Sequence, residues 1–178
     1  MDAVSLAKLQ AEGSFGEVLR TISDVNQELA YAVVKLKEGE YLHSNGSILG
    51  IVQHLACCKL MYASAAFRDG EVRWRDCAAR LDQIATDWTA SIEYLKESHA
   101  YWMAVLSEVS SDDLDRPGLT NWGEQWPTWR IIYCVIEHDA YHAGQIEVLK
   151  SQLAPSSAPP DAREADDIRQ HCADSPFW

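Results

Sequence analysis

Apolar side chains recur every three or four residues along four long segments, and this spacing constrains the fold more than any other feature of the sequence. Residues with that spacing lie on one face of an α-helix, and such a face must be buried against other helices. The segments cover about residues 15–36, 47–67, 79–106 and 127–153. No segment shows the alternation with period two that indicates a β-strand. The pattern predicts an all-α protein folded as a four-helix bundle.

Residues that favour helix ends lie close to the limits of these segments. Ser14, followed three residues later by Glu17, has the pattern of a capping box and predicts that the first helix begins there. Ser47 is suited to capping the second segment, and Pro127 is suited to the first turn of the fourth. We therefore expect the four helices to begin near these positions.

The domain boundary is predicted at residue 153, so that residues 1–153 form the bundle and residues 154–178 form a tail. The tail begins as a Pro/Ser-rich linker, continues as an acidic segment and ends in Pro176-Phe177-Trp178, and we expect it to be docked. The connection between the third and fourth segments carries Trp122 and Trp126, which is unusual for a solvated loop. We expect this connection to pack against the bundle or to border a site.

Charge and cysteine content exclude several classes of function. The chain has 27 acidic and 15 basic residues, a formal net charge of −12, whereas proteins that bind nucleic acid or anionic membranes carry surplus Lys and Arg. No apolar run approaches the ~18 residues of a membrane span, and the N-terminus lacks the pattern of a signal peptide. The five cysteines form no C-x-x-C pair. We expect a reduced, cytoplasmic protein that binds neither nucleic acid nor membrane.

Three histidines lie on apolar helical faces. At about 100° per residue, His138 and His142 are about 40° apart within the apolar stripe of the fourth segment. His54 is centred on an apolar face of the second segment, one turn after Gly50. Two histidines four residues apart can share one metal ion at ~2.0–2.1 Å, and a third from a neighbouring helix completes a triangular face. Antiparallel packing of the second and fourth helices would bring the three to about the same level, whereas parallel packing would leave a mismatch of roughly 6 Å, which a shift of one turn would correct.

Several other residues on or near these faces have candidate roles at the site. His99 lies on the stripe of the third segment and is either a core histidine or a proton relay or extra ligand. Tyr141 and Gln145 flank the ligand face, where they either bond a metal-bound water or pack between helices. Asp139 has the position to orient a neighbouring imidazole. Cys134 is interpreted as a small core residue rather than a nucleophile, because no cation beside it in the sequence would activate it.

Two stretches of the chain resemble the DinB/YfiT-like superfamily of metal-binding helical bundles. They are SILGIVQHLACCKL, with His54, and WPTWRIIYCVIEHDAYHAGQIEVLKSQL, with His138 and His142; the string E-H-D-x-Y-H-x-G-Q-I is the most specific part. The resemblance spans about residues 15–153 and implies a four-helix bundle, commonly dimeric. It implies that His54, His138 and His142 bind a divalent ion such as nickel, zinc or iron. One position differs, since relatives often have an acidic residue where this chain has Cys57.

The resemblance also implies a class of function. Relatives include thiol-dependent transferases and isomerases that use bacillithiol, mycothiol or glutathione. We therefore expect a metal-dependent thiol S-transferase or hydrolase with a small-molecule substrate, a metal that acts as a Lewis acid, and a homodimer. Two alternatives stay open: a non-catalytic bundle that binds a metal or a small ligand, and an interaction protein with a closed, four-ligand structural metal. Imidazole suits several metals, so the sequence does not select one.

Overall fold

The structure of the chain is a computed structural model that describes residues 1–34 and 46–153. These residues form six α-helices, which are α1 (Ala3–Ile22), α2 (Gln27–Tyr31), α3 (Ile48–Phe67), α4 (Trp74–Ile84), α5 (Trp88–Glu108) and α6 (Thr128–Gln152). A short antiparallel pair, β1 (Pro117–Leu119) and β2 (Gln125–Pro127), precedes α6. The four long helices α1, α3, α5 and α6 pack as a bundle, so the predicted all-α bundle is confirmed. The tail at residues 154–178 lies outside the described residues, and its docking stays a prediction.

Helices α3 and α6 pack against each other in opposite directions. His54 of α3 contacts His138 of α6, whereas Tyr62, two turns farther along α3, contacts Cys134, one turn earlier in α6. Rising residue numbers on one helix therefore meet falling numbers on the other. This is the antiparallel arrangement that brings histidines of the two helices to one level.

The predicted limits of the second and fourth helices agree with the structure to within one residue. Ser47 caps α3, and its Oγ accepts a hydrogen bond of 3.0 Å from the backbone N–H of Gly50. Pro127 immediately precedes α6, where its missing N–H leaves no further unsatisfied donor. These two helices carry the three candidate ligands.

The predicted start of the first helix at Ser14 is wrong. Helix α1 begins at Ala3, and the Asp2 side chain caps it by accepting a hydrogen bond from the Ser5 N–H at 2.8 Å. Ser14 lies inside the helix, where its Oγ donates to the Ala11 carbonyl at 3.2 Å. The first segment also breaks after Ile22, and the short helix α2 follows. The capping-box pattern misled because Ser–x–x–Glu also occurs within helices.

The third predicted helix is two helices. Residues 85–87 separate α4 from α5, with Ala85 at a positive φ of 44° and Asp87 capping α5 through the Ala90 N–H at 2.9 Å. The buried residues Leu81, Ile84 and Trp88 keep helical spacing across this break. The apolar pattern therefore continues although the backbone hydrogen bonds do not.

The β1–β2 hairpin was not predicted, because two strands of three residues are too short to show an alternating pattern. Its pairing joins Gly118 to Trp126, and a turn with Gly123 at φ 94° closes it. Gly118 packs closely on α6, since a Cβ there would lie 2.9 Å from Ile131 Cδ1. The hairpin is thereby held against the bundle.

Helix α3 forms the centre of the fold, with fifteen of its 20 residues buried. Within the described residues it is the one helix long and apolar enough, by length and mean hydropathy, to cross a membrane. The sequence analysis expected no apolar run close to the length of a membrane span, and α3 does not meet that expectation. However, 83% of its most apolar window is buried inside the bundle, as in the core helix of a helical domain.

Candidate metal centre

The structure brings His54, His138 and His142 together. His138 Nε2 lies 3.1 Å from His54 Nε2 and 3.1 Å from His142 Nε2. One donor nitrogen from each ring lies within 4.8 Å of the others, so the three form a group that can hold a metal ion. The i, i+4 spacing on α6 and the antiparallel packing of α3 produce this convergence.

The distances between the nitrogens fit a shared ion. Two imidazole nitrogens bound to one metal at ~2.0–2.1 Å are about 3.0 Å apart at a right angle and about 3.4 Å apart at a tetrahedral angle. The observed 3.1 Å lies in this range. A single Nε2 carries either one proton or one lone pair, so His138 cannot form two good hydrogen bonds from this atom. A divalent cation between the rings would satisfy all three lone pairs.

Gln145 fixes the tautomer of His142. His142 Nδ1 lies 2.6 Å from the Gln145 Oε1, which can only accept, so Nδ1 carries the proton and donates it. The His142 Nε2 is then left with the lone pair that metal binding requires. Gln145 is itself held by its Nε2, which donates to the Tyr141 hydroxyl at 3.0 Å. Both residues therefore act on the candidate ligand His142, a role that the sequence left open.

The centre is buried on one side and accessible on the other. His142 is buried at 1% exposure, whereas His54 and His138 are partly exposed. Cys58, one turn after His54, places its Sγ 3.5 Å from the His54 Nε2 and adds a soft, apolar side to the centre. A site with three ligands and one accessible side retains a position for a water or substrate.

Aromatic rings border the accessible side. Tyr62 lies 6.4 Å from the His138 ring, and Trp122 of the hairpin meets Tyr62 edge-on at 5.7 Å between centroids. Trp126 contacts Trp122 at 5.0 Å, and the Arg130 guanidinium stacks over Trp126 at 3.7 Å. The tryptophan-rich connection thus packs against the bundle beside the histidines, as its sequence predicted.

The family of the chain follows from the match between its sequence and known families. The DinB superfamily matches residues 9–146, about three quarters of the chain, and this range includes the three histidines. The chain belongs to the DinB superfamily. No curated protein matches it. The bundle of four long helices and the histidine group of this DinB protein agree with the resemblance seen in its sequence.

Cys134 does not have the surroundings of a nucleophile in the DinB fold described here. Its Sγ lies 3.6 Å from the Tyr62 hydroxyl and donates to it. Burial raises the pKa of Tyr62 well above its ordinary value, so this hydroxyl stays protonated and supplies no base. Cys57 does not have the surroundings of a nucleophile either, because it is buried and its Sγ lies 3.8 Å from the Tyr94 hydroxyl of α5.

Asp139 does not orient an imidazole, contrary to the sequence prediction. Its Oδ2 accepts a hydrogen bond of 2.6 Å from the Lys59 ammonium and a longer one of 3.4 Å from the Ser14 hydroxyl. Burial raises the pKa of Asp139 and lowers that of Lys59, and the ion pair opposes both shifts. Sequence analysis missed Lys59, although it is the one charged side chain in α3.

His99 is a core residue and lies outside the histidine group. It stacks on Phe15 with 3.7 Å between ring centroids, and its Nε2 lies 3.4 Å from Glu12 Oε2. Burial, reinforced by the positive charge of Lys59, lowers the pKa of His99 to about 4. His99 is therefore neutral at neutral pH.

The low pKa of His99 predicts a loss of stability in mild acid. Between the unfolded pKa of 6.5 and the folded value of about 4, unfolded chains bind a proton that folded chains do not. The free energy of unfolding should therefore fall as the pH falls, by about 2 kcal/mol between pH 6.5 and 4.5 from this residue. Urea unfolding of metal-free protein measures the effect. His99→Phe should remove this part of the pH dependence, and equal pH slopes in the two proteins would contradict the assignment.

Proposed function

We propose that this DinB protein is a metal-dependent enzyme in which His54, His138 and His142 hold one divalent ion. The observation that supports this most directly is the convergence of the three histidines, with His138 Nε2 3.1 Å from the Nε2 atoms of His54 and His142, beside an accessible face. When bound, the ion supplies Lewis-acid chemistry for thiol S-transfer or hydrolysis. Nickel, zinc and iron all suit the three imidazoles.

The surrounding side chains support a small-molecule substrate. His142, held by Gln145, keeps its lone pair directed at the centre, and Cys58 limits water access on one side. Trp122 is 42% exposed beside Tyr62, which leaves an indole face available to an apolar part of a substrate. Arg130 gives the outer end of this border a positive charge. A low-molecular-weight thiol, which joins a sulfur donor to a charged body, is the substrate class that we place first.

Metal analysis followed by a thiol assay tests the proposal. Untagged protein should contain one divalent ion per chain, and it should accelerate conjugation of a low-molecular-weight thiol such as glutathione to monochlorobimane. Chelation should abolish the rate and re-addition of the ion should restore it. Saturable metal binding with no turnover of thiols or of simple esters would contradict an enzyme. That result would favour the alternative, a non-catalytic bundle that binds a metal or a small ligand.

Metal retention should depend on pH as expected for imidazole ligands. Only neutral imidazole binds a metal, and the reference pKa of histidine is ~6.5. We expect retention to fall steeply below about pH 6, with up to three protons taken up per ion released. The measurement is the bound metal after desalting into metal-free buffer at each pH. Unchanged retention down to about pH 4.5 would show that carboxylates hold the ion.

We also propose that the protein is a cytoplasmic homodimer that does not bind nucleic acid or membranes. None of the four cysteines among the described residues forms a disulfide, which is consistent with a reducing compartment. Large apolar side chains are exposed on α1, at Leu6 and Leu9, and on α6, at Trp129 and Tyr133. These side chains offer a surface to a second copy of the chain. A monomeric mass by light scattering at micromolar concentration would contradict the dimer.

A further inference from the structure

A fully buried ion pair lies beside the candidate metal centre. The Lys59 Nζ is 2.6 Å from the Asp139 Oδ2, and both side chains are 1% exposed. Lys59 also lies over the Phe15 ring, with its Nζ 5.3 Å from the ring centroid. The pair connects α3 to α6, the two helices that supply the three histidines.

Stability of the fold does not by itself explain this pair. Removing two charges from water carries a large desolvation penalty, and well-packed apolar replacements of buried ion pairs are often neutral or stabilising. The geometry is also incomplete, because Asp139 Oδ2 accepts from both Lys59 and Ser14 while the buried Oδ1 has no hydrogen-bond partner among the described residues. A buried pair that carries this penalty is explained if the protein needs α3 and α6 to be held in one defined geometry.

The positions of the two residues relative to the ligands show which geometry the pair defines. Asp139 directly follows His138, and consecutive residues project about 100° apart around a helix. Holding Asp139 against α3 therefore fixes the rotation of α6 and the direction in which His138 projects. Lys59 lies about 7.5 Å beyond His54 along α3, and long helical side chains lean back toward the N-terminus. Its ammonium is thus brought toward the level of the ligands.

We propose that Lys59 and Asp139 are positioning residues that hold α3 and α6 in the rotation and separation at which His54, His138 and His142 converge on one ion. The inference rests on the proposed metal site and adds to it a pair outside the ligand set. Charge-assisted hydrogen bonds of this kind are directional and short, whereas apolar contacts have no preferred direction. The pair therefore supplies a constraint that apolar packing alone does not.

The test replaces both charges at once, with Lys59→Met and Asp139→Leu in the same chain, because either single change leaves a buried charge unpaired. We expect the double variant to bind Zn²⁺ about 10–100-fold more weakly in competition with a chromophoric chelator, the usual loss for residues that orient ligands. The absorption spectrum of the Co²⁺-loaded protein should change, reporting altered coordination. The urea midpoint of the metal-free double variant should equal or exceed that of the wild type.

Gln53→Met provides the matched control. Gln53 is also a buried polar residue of α3 and is adjacent to a ligand, but its Nε2 donates to the Ala85 carbonyl at 2.6 Å and to the Ser91 Oγ at 3.1 Å. It thereby connects α3 to residues that supply no ligand, and its loss should leave Zn²⁺ affinity close to that of the wild type. Asp139→Asn, which retains shape and an acceptor, should give an intermediate affinity.

The outcomes separate this inference from the proposed function. A wild-type protein that does not bind Zn²⁺ would overturn both. Wild-type binding with an unchanged affinity and Co²⁺ spectrum in the double variant would overturn the positioning role alone. An equal loss in Gln53→Met, or a lower urea midpoint in the double variant, would also overturn it, since the pair would then serve general stability.

Discussion

Replacing His138 with alanine is expected to abolish stoichiometric binding of a divalent ion while the helical circular dichroism persists. His138 is the central member of the group, with its Nε2 3.1 Å from those of His54 and His142. Loss of this ligand leaves two of the three imidazoles, and a chelate with a missing ligand binds far more weakly. The bundle is held by the apolar faces of its long helices, and the partly exposed His138 contributes little to that core.

Bound metal is measured by elemental analysis after incubation with Zn²⁺ or Ni²⁺ and desalting, alongside far-ultraviolet circular dichroism. His54→Ala should give the same loss from the other helix. His99→Phe is the matched control, because it removes a buried histidine that lies outside the group and should keep one ion per chain. A full complement of metal in the His138→Ala protein would refute the three-ligand assignment.

The candidate ligands were predictable because their arrangement depends on local geometry. His138 and His142 share a face by the helical repeat alone, and the apolar neighbours of His54 indicate that it also faces inward. The direction of α3 relative to α6 could be learned only from the structure. The contact between Tyr62 and Cys134 shows that this direction is antiparallel, one of the two arrangements that the sequence allowed.

Helix breaks and helix starts that do not change the spacing of the apolar residues could not be predicted from the sequence. The break between α4 and α5 places Ala85 at a positive φ but leaves the spacing of the buried residues intact, so the apolar periodicity does not reveal it. The start of α1 was missed because its first turns carry exposed apolar residues, Leu6 and Leu9, which weaken the stripe. Helix ends depend on individual caps, and several residues of each helix can have the composition of a cap.

The pairing of Lys59 with Asp139 also lay beyond sequence reasoning. The two residues are far apart in the chain, and Asp139 next to two histidines has the pattern of a residue that orients an imidazole. A single charged residue in the otherwise uncharged helix α3 was the available signal, since a buried lysine requires a partner. That signal predicts that a partner exists but does not identify it.

Lys59→Met is expected to lower the free energy of unfolding by about 3–5 kcal/mol, which is a large part of the stability of a domain of this size. The variant keeps an apolar chain of similar length against Phe15 but removes the one cation bonded to Asp139. The Asp139 carboxyl, at 1% exposure, would then be left with the long contact to Ser14. It must remain charged without a counter-ion or take up a proton, and both states destabilise the fold.

Urea unfolding at pH 7 in the presence of a chelator measures this loss without a contribution from bound metal. Lys96→Met is the matched control, because Lys96 pairs with Glu93 at 2.8 Å on the surface, where the two side chains are 48% and 57% exposed. Exposed pairs contribute about 0–1 kcal/mol, so this control should unfold close to the wild-type midpoint. Adding Asp139→Leu to Lys59→Met should bring the urea midpoint back to the wild-type value or above it, because the unpaired carboxyl is then gone. If Lys59→Met unfolds at the same urea concentration as Lys96→Met, the Asp139 carboxyl does not require Lys59 as its counter-ion, and the expected cost of an unpaired buried charge is wrong.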